Sequence, residues 1–234
     1  VKREKKGLKR PKVVHLVMPS NRGEIDVRVV FAYHHMVIRF VTEELAKPDG
    51  PDYGLYEYNI TGAFITDARN RAAEIAIEGQ PDRNLPPADY LVMMDDDMVP
   101  PSDTIARLLA HNKPIVAPLF HHRRPPFKPV VMEYASTGDK LEYVIVNPEK
   151  SLQEVDAVGG GLVCIDVNRT LRKMIRPFFW MAPEYGEDIY FCHKAKQEAK
   201  ARVFVDTTID VGHLGDKAVV DRHYAEAARK QLGI

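Results

Sequence analysis

The chain has 234 residues, 45% of them hydrophobic and 28% charged, which is enough to bury a sizeable core and excludes a disordered or fibrous polymer. Lys and Arg number 33, as do Asp and Glu, so the net charge is zero and a globally basic nucleic-acid binder is disfavoured. No apolar run approaches the roughly 18 residues of a membrane span, and the charged opening has no apolar segment behind it, so neither a span nor a secretory signal is expected.

Residues 1–12 carry seven Lys or Arg against one Glu and no apolar period. They read as a basic N-terminal tail, either a solvated terminus or an attraction for an anionic acceptor. Residues 13–18 form a short apolar run closed by Pro19-Ser20-Asn21, a buried strand. Over 24–45, Val29, Val30, Tyr33, Met36, Val37, Phe40 and Val41 share one broad helical face. Residues 55–60 alternate weakly, as a strand. Residues 61–77 carry Ala63, Ile65, Ala68, Ala72, Ala73 and Ile75 at helical spacing. A second buried strand, 90–94, runs into Asp95-Asp96-Asp97. Pro100-Pro101-Ser102-Asp103 opens a helix through His111, with Ser102 or Asp103 as N-cap. Residues 114–119 make a third buried strand. This alternation predicts an α/β fold with a mostly parallel central sheet flanked by helices.

The second half reads as mixed and partly antiparallel. Strands are expected at 129–134, 141–146 and 203–206, helices at 166–174, 186–199 and 218–232, and an apolar stretch at 155–165 surrounds Gly159-Gly160-Gly161. Cys164 and Cys192 sit in apolar stretches without CxxC spacing, so buried free thiols and a reducing, cytoplasmic setting are expected. No repeat or low-complexity linker divides the chain, which favours one compact domain over 13–234.

Three consecutive carboxylates at the end of an apolar strand repel one another and lose solvent. The carboxyl end of a parallel strand is also where ligands bind in such sheets. A divalent cation relieves the repulsion, and oxygen ligands favour Mg or Mn; the alternative is an acidic loop favouring a helix N-terminus. Ser20 follows the first strand and belongs at the same edge. Arg69 and Asn70 interrupt an Ala-rich helix, either as its solvent face or reaching an anion. Gly160 and Gly161 allow close approach or a bend. Because they lead into a strand, a dinucleotide fingerprint is rejected, and no P-loop, HEXXH or GxSxG occurs. Glu187 and Asp188 open a helix, as dipole partners or as a base. His213 lies between glycines near the end of the chain. His121-His122-Arg123-Arg124 follows the third strand, either as a phosphate or acceptor contact or as a solvated loop.

Taken together, Thr66-Asp67-Ala68-Arg69-Asn70, the segment 88–97 ending in Asp95-Asp96-Asp97, Val158-Gly159-Gly160-Gly161, Gly186-Glu187-Asp188 with Phe191-Cys192, and Gly212-His213 resemble the GT-A-type nucleotide-sugar glycosyltransferases. The resemblance covers about residues 12–217. It implies a single GT-A-like domain with a nucleotide-binding half, 13–119, and an acceptor half, 120–234. It also implies a DxD pair: Asp97 as metal ligand and Asp95 facing ribose and metal, with Mn or Mg as cofactor. By the same resemblance Ser20, Arg69 and Asn70 face the nucleotide, Gly160 and Gly161 line the sugar pocket, and Asp188 is the base with Glu187 beside it. His213 becomes a further metal ligand or diphosphate contact, and Lys217 neutralises the same diphosphate.

The implied reaction moves a sugar from a nucleoside-diphosphate donor, a UDP-sugar first, to a hydroxyl acceptor, with inversion if Asp188 is the base. The acceptor is left open between a glycan, a small molecule and hydroxylated bases in DNA. The rivals are a sugar-nucleotide nucleotidyltransferase, disfavoured by the lack of a Gly-rich basic loop at the first strand, and a nucleic-acid-binding module using the basic segments.

Overall fold

The computed structural model describes residues 10–20, 24–134, 141–143, 147, 150–215 and 218–233. In chain order the strands are β1 (Lys12–Ser20), β2 (Tyr53–Thr61), β3 (Tyr90–Met94), β4 (Met98–Val99), β5 (Ile115–Leu119), β6 (Val131–Tyr134), β7 (Leu141–Tyr143), β8 (Leu152–Val155), β9 (Ala157–Val158), β10 (Leu162–Asp166), β11 (Val203–Asp210), β12 (Gly212–Leu214) and β13 (Val219–Val220). The helices are α1 (Val27–Leu45), α2 (Ile65–Glu78), α3 (Thr104–Ala110), α4 (Glu187–Ala199) and α5 (Arg222–Leu232).

Seven strands form the central sheet in the order β2-β1-β3-β10-β5-β11-β8. β1, β2 and β3 are mutually parallel, as are β5 and β11, whereas β10 lies antiparallel between β3 and β5. β8 closes the far edge, also antiparallel. The sheet is therefore mixed and mostly parallel. Two three-stranded sheets, β13-β12-β4 and β7-β6-β9, complete the fold.

Side chains alternate across β3, as strand geometry requires. Leu91 and Met93 join α2 and α4 in one buried layer; Tyr90, Val92 and Met94 join α1 and α3 in the other. This two-sided burial explains why β1, β3 and β5 read as unbroken apolar runs.

The boundaries follow local chemistry. Asp26, not Glu24, starts α1, its carboxylate accepting the Arg28 N–H at 2.8 Å. Thr61 still pairs with Ser20 in β2, and Gly62 turns the chain at φ +74° before α2 begins. The helix expected at 166–174 is not formed beyond one 3-10 turn, Leu171–Lys173. Asp166 ends β10, and its carboxylate takes the Arg169 N–H at 2.7 Å, offering the backbone a turn in place of a helix. The last helix starts later than expected because Val219 and Val220 pair with β12 and Asp221 caps α5 through the Tyr224 N–H. Residues 144–146 of the expected 141–146 strand lie outside the described residues.

Candidate active site

The five strands that run in one direction, β1, β2, β3, β5 and β11, all end at the same edge of the sheet. That edge collects Ser20 after β1, the start of α2 after β2, Asp95–Asp97 after β3, residues 120–124 after β5 and His213 after β11. Because β10 runs the other way, it begins where β3 ends. Leu162 pairs with Met94, and the Asp95 N–H donates to the Gly161 carbonyl at 2.8 Å. The glycine run is thereby held against the triple aspartate.

Arg69, early in α2, is buried and threads between these segments. Its Nη2 lies 2.9 Å from both Asp95 oxygens, and its Nη1 donates to Glu187 Oε1 at 2.5 Å. Burial works against the guanidinium charge, yet Asp95, Glu187 and Asp188 hold its pKa above the ordinary value. Loss of solvent pushes the Asp95 carboxyl up to about 6; Arg69 opposes the rise, and Asp97 and Asp188 add to it. Asp188 opens α4, its Oδ2 accepting the Gly160 N–H at 3.0 Å and its Oδ1 the Ile189 N–H at 2.8 Å. Two backbone donors thus fix its carboxylate.

On the other side of the triple aspartate, Arg123 Nη1 donates to Asp97 Oδ2 at 2.6 Å. His213 Nε2 stands 3.5 Å from the same oxygen. His213 Nδ1 lies 2.8 Å from the His121 carbonyl, which can only accept, so Nδ1 donates and Nε2 is turned toward Asp97. Asp97 Oδ2 thus faces two groups, the Arg123 guanidinium and the His213 ring. Ser20 Oγ donates to Asp96 Oδ2. A cleft of about 260 Å³ opens here, lined by Pro19, Ser20, Ala63, Ile65, Ala68, Asp95, Asp96, Asp97 and Arg123.

Among the described residues, no cluster of three or more His, Cys, Asp and Glu has the arrangement of a complete metal site. Mg and Mn are nevertheless commonly held by one or two protein groups with substrate phosphates completing the shell. Asp97 and His213 fit that role. Their donor atoms are slightly wider apart than the roughly 3 Å of neighbouring ligands on such an ion, and the Nδ1–carbonyl bond orients the ring as outer-shell contacts do in metal sites.

Most of the residues singled out from sequence meet at this edge: Ser20, Arg69, Asp95, Asp97, Gly160, Gly161, Glu187, Asp188 and His213. Asn70 does not present its amide there. It donates to the Phe179 carbonyl at 2.8 Å and accepts the Phe178 and Phe179 N–H groups at 2.8 and 3.0 Å, latching that segment to α2. Arg69 is neither a solvent-face residue nor a cleft-lining one but an internal counter-ion, and Glu187 is its partner. Lys217 lies outside the described residues. Asp96 belongs to the triple aspartate, and His122 and Arg123 to the basic run after β5 that the sequence leaves open between a phosphate or acceptor contact and a solvated loop. Burial and His213 lower the His122 pKa while Asp188 opposes, which places that ring within electrical reach of both. Cys164 and Cys192 are free and buried, which pushes both thiols up to about 12.

No protein-family model matches the sequence, and no curated protein matches it. Solved structures do. A197 from STIV is similar at 18% identity with a TM-score of 0.51, over 90% of this chain and 91% of that one. GalNAc-T7, whose structure holds UDP, GalNAc and Mn2+, is similar at 12% identity with a TM-score of 0.52, over 86% of this chain and 43% of that one. The chain has a GT-A-like fold. That fold is shared with glycosyltransferases, and the edge that gathers the acidic and glycine segments is the ligand-bearing edge of an open α/β sheet. Among the described residues no helix is long and apolar enough to cross a membrane.

Proposed function

We propose that the protein is a metal-dependent glycosyltransferase that moves a sugar from a nucleoside-diphosphate donor, a UDP-sugar first, to a hydroxyl acceptor. The observation that carries this reading is the meeting, at one sheet edge of a GT-A-like fold, of Asp97 facing His213 and of Asp188 anchored on Gly160. GalNAc-T7, in the same fold, is seen with UDP, GalNAc and Mn2+.

In this reading Asp97 and His213 hold Mg or Mn, which when bound supplies positive charge to the departing diphosphate. Arg123, paired with Asp97, adds a second positive charge on that side. Ser20 and Asp96 stand on the cleft wall toward the nucleotide. The backbone of Gly160 and Gly161 borders the sugar. The acceptor oxygen bonds to the anomeric carbon as the bond from that carbon to the diphosphate breaks, and the hydroxyl proton passes to Asp188. Attack from the face opposite the leaving group inverts the anomeric centre. Asp188 is fixed by two backbone N–H donors, so its contribution is position more than basicity. Arg69 and Glu187 are positioning residues, acting through Asp95 and the start of α4. Residues 13–119 then carry the nucleotide and residues 120–234 the acceptor.

Calorimetric titration of UDP with and without Mn, on the intact chain and on Asp97→Ala, tests the reading. Mn-dependent binding that the variant loses is the expected result. Binding of equal affinity in both proteins overturns it.

A further inference from the structure

The central sheet has a second concave end. β1 and β3 begin there and β10 finishes there, at the edge away from the triple aspartate. Lys12 stands at the opposite end of β1 from Ser20, about 26 Å along an extended strand. A cavity of about 410 Å³ opens between these strand ends, larger than the cleft at the acidic edge. Hydrogen bonds to the backbone fix its frame. His15 Nε2 donates to the Pro86 carbonyl at 2.9 Å, the Ala88 N–H to the Ala76 carbonyl at 2.8 Å and the Asp89 N–H to the Val13 carbonyl at 2.8 Å. A concavity already formed spares its ligand the cost of ordering the walls.

Arg10, Lys12 and Arg172 line this cavity, and none of the three has a carboxylate partner among the described residues. Lys12 Nζ lies 3.5 Å from the Tyr90 hydroxyl and 5.4 Å from the centre of that ring. Arg172 Nη2 donates to the Ile77 carbonyl at 2.7 Å. Arg169, on the same turn, is by contrast paired with Asp166. Asp89 is the one carboxylate of the lining, and it is already engaged. Its Oδ2 accepts the Val13 N–H at 2.8 Å and its Oδ1 the Asn168 amide at 3.4 Å. Three cations against one carboxylate leave an excess of two positive charges. A phosphate monoester, close to a dianion at pH 7, matches that excess. A phosphodiester or a carboxylate, with one charge, does not. Two guanidinium forks also suit the geometry of phosphoryl oxygens. The rest of the wall is apolar: Pro11, Val13, Pro87 and Ala88. Inorganic phosphate would leave that wall wet, whereas an ester with an apolar group would bury it.

We propose that this cavity is a second ligand site, for a small phosphate monoester bearing an apolar or aromatic group, with Arg10, Lys12 and Arg172 holding the phosphate. The site stands apart from the acidic edge and calls for no metal. Calorimetric titration of the full chain with phenyl phosphate, at low salt and with EDTA, should show one site. Arg10→Ala, at an exposed residue with no partner in the described fold, should weaken binding about tenfold or more, the scale of a charged hydrogen bond. Arg172→Ala should do the same, with urea midpoints confirming that both variants are folded. Asp89→Asn keeps an acceptor for the Val13 N–H and should tighten binding. Inorganic phosphate, which lacks the ring, and phenyl sulfate, which carries one charge, should both bind more weakly. Arg123→Ala, at the acidic edge, should leave the affinity unchanged. No binding of phenyl phosphate in the millimolar range, or an unchanged affinity in either folded arginine variant of the cavity, overturns the proposal. Loss of binding on Arg123→Ala overturns it in favour of the acidic cleft. Phenyl sulfate bound as tightly as phenyl phosphate overturns the choice of a monoester. An oligothymidylate that binds where phenyl phosphate does not overturns it in favour of a surface for nucleic-acid backbone.

Discussion

The Arg69 guanidinium occupies the space that a side chain on Gly160 would need: a Cβ placed there would stand 2.2 Å from Nη1. The glycine therefore makes room for an internal arginine, which joins two distant segments through Asp95 and Glu187. Gly160→Ala should force Arg69 away from its carboxylates, at about 1–3 kcal/mol of stability, the usual scale of overpacking. Denaturant midpoints of the two proteins at equal slope check this.

Glu187 and Asp188 are neighbours with different tasks. Glu187 is buried and bonded to Arg69, so Glu187→Gln should weaken folding by about 1–3 kcal/mol, the scale for a buried charged hydrogen bond. Asp188 is partly open and bonded to two backbone donors, of which an Asn amide can accept only one, so Asp188→Asn should lower the unfolding midpoint by less than Glu187→Gln does. Its cost should appear in sugar transfer, about 100-fold for loss of a positioned base. Parallel melting curves and transfer rates with a working acceptor separate the two. A reversed pattern would exchange the roles.

Arg123 competes with any cation for Asp97 Oδ2. Removing it by Arg123→Ala should tighten Mn binding in the absence of nucleotide and weaken the binding of UDP at a fixed Mn concentration. Paramagnetic relaxation titration with Mn, followed by calorimetry with UDP, gives both signs. Mn affinity that falls instead would mean that Arg123 organises the carboxylate rather than blocking it.

Two buried imidazoles set a pH dependence. Burial lowers the pKa of His15 from 6.5, against the Pro86 carbonyl, which raises it. Burial, then Arg229 and Arg222, lowers that of His121 to about 4. His121 Nδ1 has no hydrogen-bond partner among the described residues. The unfolded chain takes up these protons near pH 6.5 and the folded chain only at lower pH. Stability should therefore be full above 6.5 and decline as pH falls toward 4, by about 1–3 kcal/mol for His121. Urea midpoints between pH 7 and 4 should show the decline, and His121→Gln should flatten it.

The strands β1, β3 and β5 were legible because their burial on both faces leaves an unbroken apolar run, and the triple aspartate stood out as charge where such a run stops. The place of β10 was not legible. An antiparallel strand between two parallel ones is decided by pairing between residues far apart, such as Leu162 with Met94, and no local period records that. Arg69 stayed open, between a solvent face and a reach toward an anion, for a related reason: only the carboxylates of Asp95 and Glu187, brought in from distant segments, turn it inward. Asn70 shows the same limit, since its amide is spent on the backbone at residues 178–179.

The late arrival of β10 also governs how the chain can be made. β3 and β5 never pair directly and are joined only once residues 162–166 have been synthesised and inserted between them, so an emerging chain holds the first three strands of the sheet with an open, apolar flank. That flank is the side on which the acidic edge is later completed. Assembly is thus weighted toward contacts of long sequence separation, which fold slowly and leave sticky intermediates. A fragment stopped at residue 119 should aggregate rather than act as a nucleotide-binding module, and a ribosome pausing before residue 162 would expose that flank for as long as the pause lasts.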